Sequence, residues 1–195
     1  ELERMVSARH TVLIRMDKYR RWFAELPVPF QALVLKHWGA PEQTRLMTIR
    51  DRNGKPYFVV PGIRFGNVFL GPQPLKSSFE EAAKAQHNTA IPPPHAYVAA
   101  YLWYRHEFKA DAMIHLGRHG TLEFLPGKNT GQAGWDSSEV LLADLPNAYY
   151  YIMDGGGEST IARRRSAAVL ISHLTPMVAQ AGQQSEFDNL RRLLK

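Results

Sequence analysis

The apolar positions change their spacing twice along this chain, and each change predicts a different kind of element. In TVLIRMDKYRRWFAELP, Leu13, Met16, Phe23 and Leu26 recur at roughly helical spacing before Pro27 ends the run, which predicts a helix. FQALVLKHWG predicts a second, short helix closed by Gly39. TRLMTIRDRNGKPYFVVPG reads as a hairpin, two β-rich runs around Asn53-Gly54, and RFGNVFLGPQP as a further strand stopped by a Gly/Pro turn. LKSSFEEAAKAQHNTAIPPPH is polar and loop-like, stiffened at its end by three prolines. Beyond it strands and helices alternate: HAYVAAYLWYRHEF as a helix, ADAMIHLG as a strand, SEVLLADL as a short helix, NAYYYIMD as a strand, and GESTIARRRSAAVLISHL as a long helix.

Such alternation predicts an α/β fold, a mainly parallel sheet with flanking helices, preceded by a smaller N-terminal part that contains the β-hairpin. The pattern divides at about residue 75. Residues 1–75 carry the N-terminal helices and the β-rich segment, and residues 76–195 the alternating segment. Ligands of open α/β sheets gather at the C-terminal ends of the strands. Both central strands run into glycine-rich polar turns, His115 to Gly120 and Asp154 to Glu158, so the chemistry is expected there.

Composition narrows the classes. With 45% hydrophobic and 22% charged residues among 195, the chain has the makeup of a globular protein with a sizeable core. No apolar run approaches the roughly 20 residues that span a bilayer, and ELERMVSARH has no signal-peptide pattern. Neither end has the character of a natural terminus, so both parts are expected to belong to one much longer chain. The absence of cysteine excludes disulfides and thiolate metal sites, and accords with the cytoplasm. A net charge of +6 raises the question of nucleic acid, but the basic residues are scattered and no nucleic-acid-binding motif is present. An anionic small molecule or an acidic partner accounts for the charge equally well.

The two turns hold the candidate residues. His115 and His119 stand where a strand gives way to a loop, with Glu123 close behind. Imidazole holds divalent metals and accepts protons near neutral pH, and a carboxylate completes a two-histidine, one-carboxylate set. The alternative is a pair of turn histidines bonded to backbone carbonyls. His95 opens a helix behind three prolines, an arrangement that fits a ligand or a simple cap. Glu158 follows Asp154 and three glycines, where capping of the next helix is the simplest role. Arg163, Arg164 and Arg165 one turn later face either those acids, an anionic ligand or solvent. The glycine run lacks the Lys-Ser/Thr of a phosphate-binding loop, so this chain is not expected to bind nucleotide.

GNVFLGPQP, IPPPHAYVAAYLWY, ADAMIHLGRHGTLEFLPGK, LADLPNAYYYIMDGGGESTIARRR and ISHLTP occur in this order, and together they resemble the large, tetrapyrrole-binding subunit of the ATP-dependent metal chelatases. That family comprises the cobaltochelatase large subunit and the porphyrin-binding subunit of magnesium chelatase. The resemblance runs from about Trp38 to Gly182 and is carried most specifically by H-x-G-x-H-G-x-LE-x-LPGK.

The resemblance implies a ligase that binds a porphyrin or corrin-type macrocycle and inserts Co2+ or Mg2+, the metal being a substrate. ATP is then hydrolysed by separate AAA+ subunits and not bound here. It further implies that His115, His119 and Glu123 handle the metal or the pyrrole protons, and that His95 of the Pro-Pro-His element, Glu158, Arg164 and Arg165 bind the macrocycle. His95 and His119 are expected to face one cavity. MDGGGE departs from the usual Asn-Asp/Asn-Pro-Gly/Ser-Glu, which puts the role of Asp154 in doubt. Two other readings stay within the family, a haem-demetallating relative and a non-catalytic tetrapyrrole-binding module.

Overall fold

The computed structural model describes residues 2–7, 10–78, 81–117, 120–152 and 156–173. After a short helix α1 (Leu2–Ser7), the run expected to be one helix splits in two: strand β1 (Thr11–Arg15) and helix α2 (Met16–Ala24). The β-branched Thr11, Val12 and Ile14 favour a pleated surface, and β3 supplies the partner for it. The break is braced by Arg15, whose guanidinium donates to the Asp17 carboxylate at 2.7 and 2.9 Å.

Helix α3 (Val28–Trp38) ends at Gly39, as expected. The Asn53-Gly54 hairpin forms from β2 (Thr48–Arg50) and β3 (Pro56–Pro61), with Asp51 Oδ1 accepting the Asn53 and Lys55 N–H groups at 2.9 Å each. It joins β1 in an antiparallel sheet of order β1-β3-β2. The strand expected over RFGNVFL is instead a second hairpin, β4 (Ile63–Phe65) and β5 (Val68–Leu70). Its turn passes through Gly66 at φ +57°, a conformation that glycine adopts at no steric cost.

A short helix α4 (Ala82–Ala85) precedes α5 (His95–His106), which runs through the centre of the molecule. Nine successive residues, His95 to Trp103, are buried, so this helix is covered on all sides. Around it pack Tyr19 and Phe23 of α2, Phe30 and Val34 of α3, Phe58 of β3, and Leu122, Leu125 and Leu141. One core cluster therefore draws on residues from both sides of position 75.

At the start of α5, His95 is fully buried. Its Nε2–H donates to the Gly39 carbonyl at 2.9 Å, and its Nδ1 accepts from the Tyr19 hydroxyl at 2.6 Å. A carbonyl can only accept, so the tautomer follows from the geometry. His95 thus pins the end of α3 and the middle of α2 to the start of the central helix.

The third sheet is parallel, in the order β6 (Met113–Leu116), β7 (Asn147–Ile152), β8 (Val169–His173). Between β6 and β7 lie a single-turn 3-10 helix (Leu122–Phe124) and α6 (Ser137–Leu142). Between β7 and β8 lies α7 (Gly156–Arg165). The long helix expected through His173 stops at Arg165. Ala167 turns to φ +47° and Val169-Leu170-Ile171 continues as a strand, because β7 offers an unpaired edge. The fold is mixed α/β. The parallel sheet is confined to the C-terminal part, and the other strands described pair antiparallel. Among the described residues no helix is long and apolar enough to cross a membrane.

Tyr19→Phe leaves His95 Nδ1 buried without its donor. The substitution is expected to cost about 1–3 kcal/mol, read as a lowered midpoint in denaturant unfolding.

Candidate functional site

A cleft of about 290 Å3 lies between the C-terminal end of β6, the strap Gly71–Pro74 that follows β5, and the tyrosine face of α5. Its walls are largely apolar, with Phe69, Leu70, Tyr104 and Met113 among them. Leu70, Ile114 and Leu116 at its rim stand exposed to solvent. Aromatic walls with a few convergent polar groups are the general character of a small-molecule site.

The polar groups form one directed hydrogen-bond chain. Thr121 N–H donates to Gln73 Oε1 at 2.8 Å, which turns the Gln73 amide nitrogen toward the hydroxyls of Tyr97 and Tyr101, each at 3.4 Å. The two phenol rings stack at 5.1 Å, and burial pushes the Tyr101 hydroxyl up to about 12, so both remain protonated donors. The Tyr97 and Thr121 hydroxyls share a hydrogen bond at 3.0 Å, and Tyr101 donates to His115 Nε2 at 3.3 Å.

The other His115 nitrogen, Nδ1, donates to Asn147 Oδ1 at 2.7 Å. Asn147 is oriented by its own amide, which donates to the Ser166 carbonyl at 3.1 Å. The result is a fixed tautomer, with the proton on Nδ1 and the Nε2 lone pair toward the Tyr101 hydroxyl. A metal-binding histidine is commonly held in this way. Burial moves the His115 pKa below the ordinary histidine value, with the Asn147 bond opposing it, so the ring stays neutral at neutral pH.

Glu123 is fully buried and stands behind the cleft wall. Tyr149 connects the two. Its ring lies in the wall, stacked on His115 at 5.3 Å, while its hydroxyl donates to Glu123 Oε1 at 3.3 Å. Gly120 covers this contact. A β-carbon there would meet Tyr149 Oη at 2.6 Å and the Glu123 carboxylate oxygens at 2.9 and 3.1 Å.

Buried charges hold the loop that carries Glu123. Lys76 Nζ donates to the carbonyls of Phe124 and Asn88, both at 2.7 Å. Arg165 Nη2 donates to the carbonyls of Leu125 at 2.6 Å and Gly127 at 3.1 Å. Asp136 Oδ2 accepts from the Ala133 and Lys128 N–H groups at 2.8 and 3.2 Å.

The family model described as CobN/Magnesium Chelatase matches residues 1–195. The chain belongs to that family. It is 38% identical over 180 residues to the aerobic cobaltochelatase subunit CobN of Pseudomonas aeruginosa, a match covering 92% of this chain and 14% of that protein. A magnesium-chelatase subunit of Rhodobacter capsulatus is 42% identical over 130 residues, covering 67% of this chain and 11% of that protein. In three dimensions the chain resembles the catalytic subunit of cobaltochelatase from Mycobacterium tuberculosis, with a TM-score of 0.74 and 36% identity over 94% of this chain and 16% of that one. The chain thus spans about a seventh of the length of these chelatase subunits.

Within this member of the CobN/magnesium chelatase family, the residues singled out from sequence scatter. His115 faces the cleft, and Glu123 adjoins it through Tyr149. His95 does not join His115 at the cleft: it is buried, with both ring nitrogens engaged by Tyr19 and Gly39. Arg165 is buried, its guanidinium donating to the Leu125 and Gly127 carbonyls and the Asn129 side chain, whereas Arg164 is exposed. Glu158 falls in the first turns of α7, and His119 and Asp154 lie outside the described residues. Among the described residues no three histidine, aspartate or glutamate side chains converge on a metal position.

Sequence reasoning missed Gln73, Lys76, Tyr101, Asn147 and Tyr149. For the last two a signal existed. In NAYYYI, Asn147 and Tyr149 share one face of a strand, and that strand lies beside the one bearing His115.

Two outcomes are expected. Gly120→Ala forces Tyr149 and Glu123 apart and costs about 1–3 kcal/mol as an overpacked site, measurable by thermal unfolding. The second concerns pH. Burial lowers the pKa of both His95 and His115, whereas in the unfolded chain they titrate near 6.5. The unfolded state therefore binds more protons. Stability is complete above that value and declines as pH falls from 6.5 through the lowered folded values. Melting curves between pH 8 and 5 check this, and a flat profile would contradict it.

Proposed function

We propose that this chain supplies part of the macrocycle site and the proton-accepting centre of a tetrapyrrole metal chelatase, one that inserts Co2+ while separate AAA+ subunits hydrolyse ATP. The reading sets the reaction in the cytoplasm, a compartment that supplies the ATP. The observation that carries the reading is Tyr149. Among the described residues, its side chain both lines the cleft beside His115 and donates to the buried Glu123.

Insertion requires two pyrrole N–H protons to leave as the hydrated cation sheds water. A macrocycle lying in the aromatic cleft brings its ring nitrogens toward the Tyr149 hydroxyl. A proton passes from the pyrrole nitrogen to Tyr149 Oη as the tyrosine's own proton moves to Glu123 Oε1, so Glu123 accepts without leaving its buried position. Neutral His115 lines the cleft, its Nε2 lone pair has only a long bond from Tyr101 to give up, and it is the incoming cation's first protein ligand. His119 is its companion by the family motif. An imidazole donor suits cobalt better than magnesium, which prefers oxygen. Glu158 and the exposed Arg164 serve the macrocycle's polar periphery.

The test uses the complete large subunit containing this segment, assayed with its ATPase partners for metal insertion by absorbance. Glu123→Gln keeps shape and removes basicity, and is expected to lower turnover by ~10²–10⁴-fold. Tyr149→Phe should fall in the same range while macrocycle affinity holds. Unchanged turnover in Glu123→Gln removes the proton-accepting role, and faster insertion of Mg2+ than Co2+ removes the assignment of metal.

A further inference from the structure

Lys76 is buried to 4% exposure in a stretch of chain that reads from sequence as polar loop. Burying an ammonium group is costly unless it is bonded and its charge is balanced. The bonds are present: two of its three protons go to the carbonyls of Asn88 and Phe124. The second of these carbonyls belongs to the residue next to Glu123, within the single-turn helix that carries the carboxylate.

The charge balance is more informative. Four ionisable side chains with formal charge are buried among the described residues: Lys76, Glu123, Asp136 and Arg165. Asp136 and Arg165 attract one another and brace the 125–136 loop from its two ends. Burial and the like charge of Arg165 both oppose the charge on Lys76, and the Glu123 carboxylate favours it. Its bond to the Phe124 carbonyl ties Lys76 to the residue that follows the carboxylate.

We propose that Lys76 is the positioning residue of the Glu123 centre, fixing the short helix that bears the carboxylate and balancing its charge where water is excluded. This rests on the reading of Glu123 as proton acceptor. Lys76 itself does not line the cleft and acts only through Glu123.

A double-mutant cycle in the complete large subunit with its ATPase partners separates this from a structural role. Lys76→Met is expected to lower kcat by at least ~10-fold, through the base it positions, while macrocycle affinity measured by fluorescence quenching stays at the wild-type value. In a Glu123→Gln background the same substitution should change kcat by less than about twofold, because residues acting as one unit are not additive. An equal loss in both backgrounds, or no loss in the first, overturns the proposal. An unaffected Glu123→Gln overturns the reading of Glu123, and this proposal with it, whereas an impaired Glu123→Gln with an unaffected Lys76→Met overturns this proposal alone. If Lys76→Met does not fold, Lys76→Arg and Lys76→Gln decide. Arg keeps the charge and should retain most of kcat, Gln keeps a donor only and should not, and equal behaviour of the two overturns the assignment.

Discussion

Backbone carbonyls turned inward in a loop must find donors, and in this molecule charged side chains supply them. The carbonyls of Phe124, Leu125 and Gly127 accept from Lys76 and Arg165, two cations brought from opposite ends of the α/β segment. Asp136 closes the same loop by accepting its N–H groups. An unpaired buried carbonyl is costly, and a charged donor binds it more strongly than a neutral one. The position of Glu123 depends on this arrangement, since the short helix bearing it has too few bonds of its own to stand alone. The buried charges are also mutually balanced, which limits what each can lose: removing one leaves its partner uncompensated in a dry environment.

The cleft inherits its precision from that loop on one side and from the central helix on the other. Helix α5 is fixed at its start by His95 between Tyr19 and Gly39, and it presents Tyr97 and Tyr101 one turn apart. The Gln73 amide, oriented by the Thr121 backbone, sets the direction of both hydroxyls and through Tyr101 meets His115. From the other side Asn147 fixes the His115 proton. The Thr121 N–H can only donate and the Ser166 carbonyl can only accept, and between them they set the Gln73 and Asn147 amides. A site of this kind needs little rearrangement when charge shifts within it.

The match to the CobN/magnesium chelatase family covers the whole chain, yet the cobalt and magnesium relatives resemble it to similar degrees. Family membership therefore does not choose between the metals, and under the proposed function that choice turns on the donors in the cleft. Among described residues those donors are an imidazole and phenols rather than carboxylates, which stay behind the wall.

What the sequence determined by itself were features set by local spacing. The period of α5, the Gly39 stop, the Asn53-Gly54 hairpin and the apolar strands before His115 and Asp154 were all legible, because each depends on residues a few positions apart. The motif around His115 and Glu123 was legible too, as a resemblance. The tertiary structure decided the rest. Whether TVLIR continues a helix or becomes a strand depends on β3, and whether VLISH does so depends on β7. His95 is a core residue because Tyr19 arrives from 76 positions away, and Lys76 is buried because Phe124 arrives from 48. A lone histidine behind prolines or a lysine in a polar loop reads the same whether it meets a ligand, solvent or a buried carbonyl. Only the packing of distant segments sets the burial and the partners that fix its chemistry.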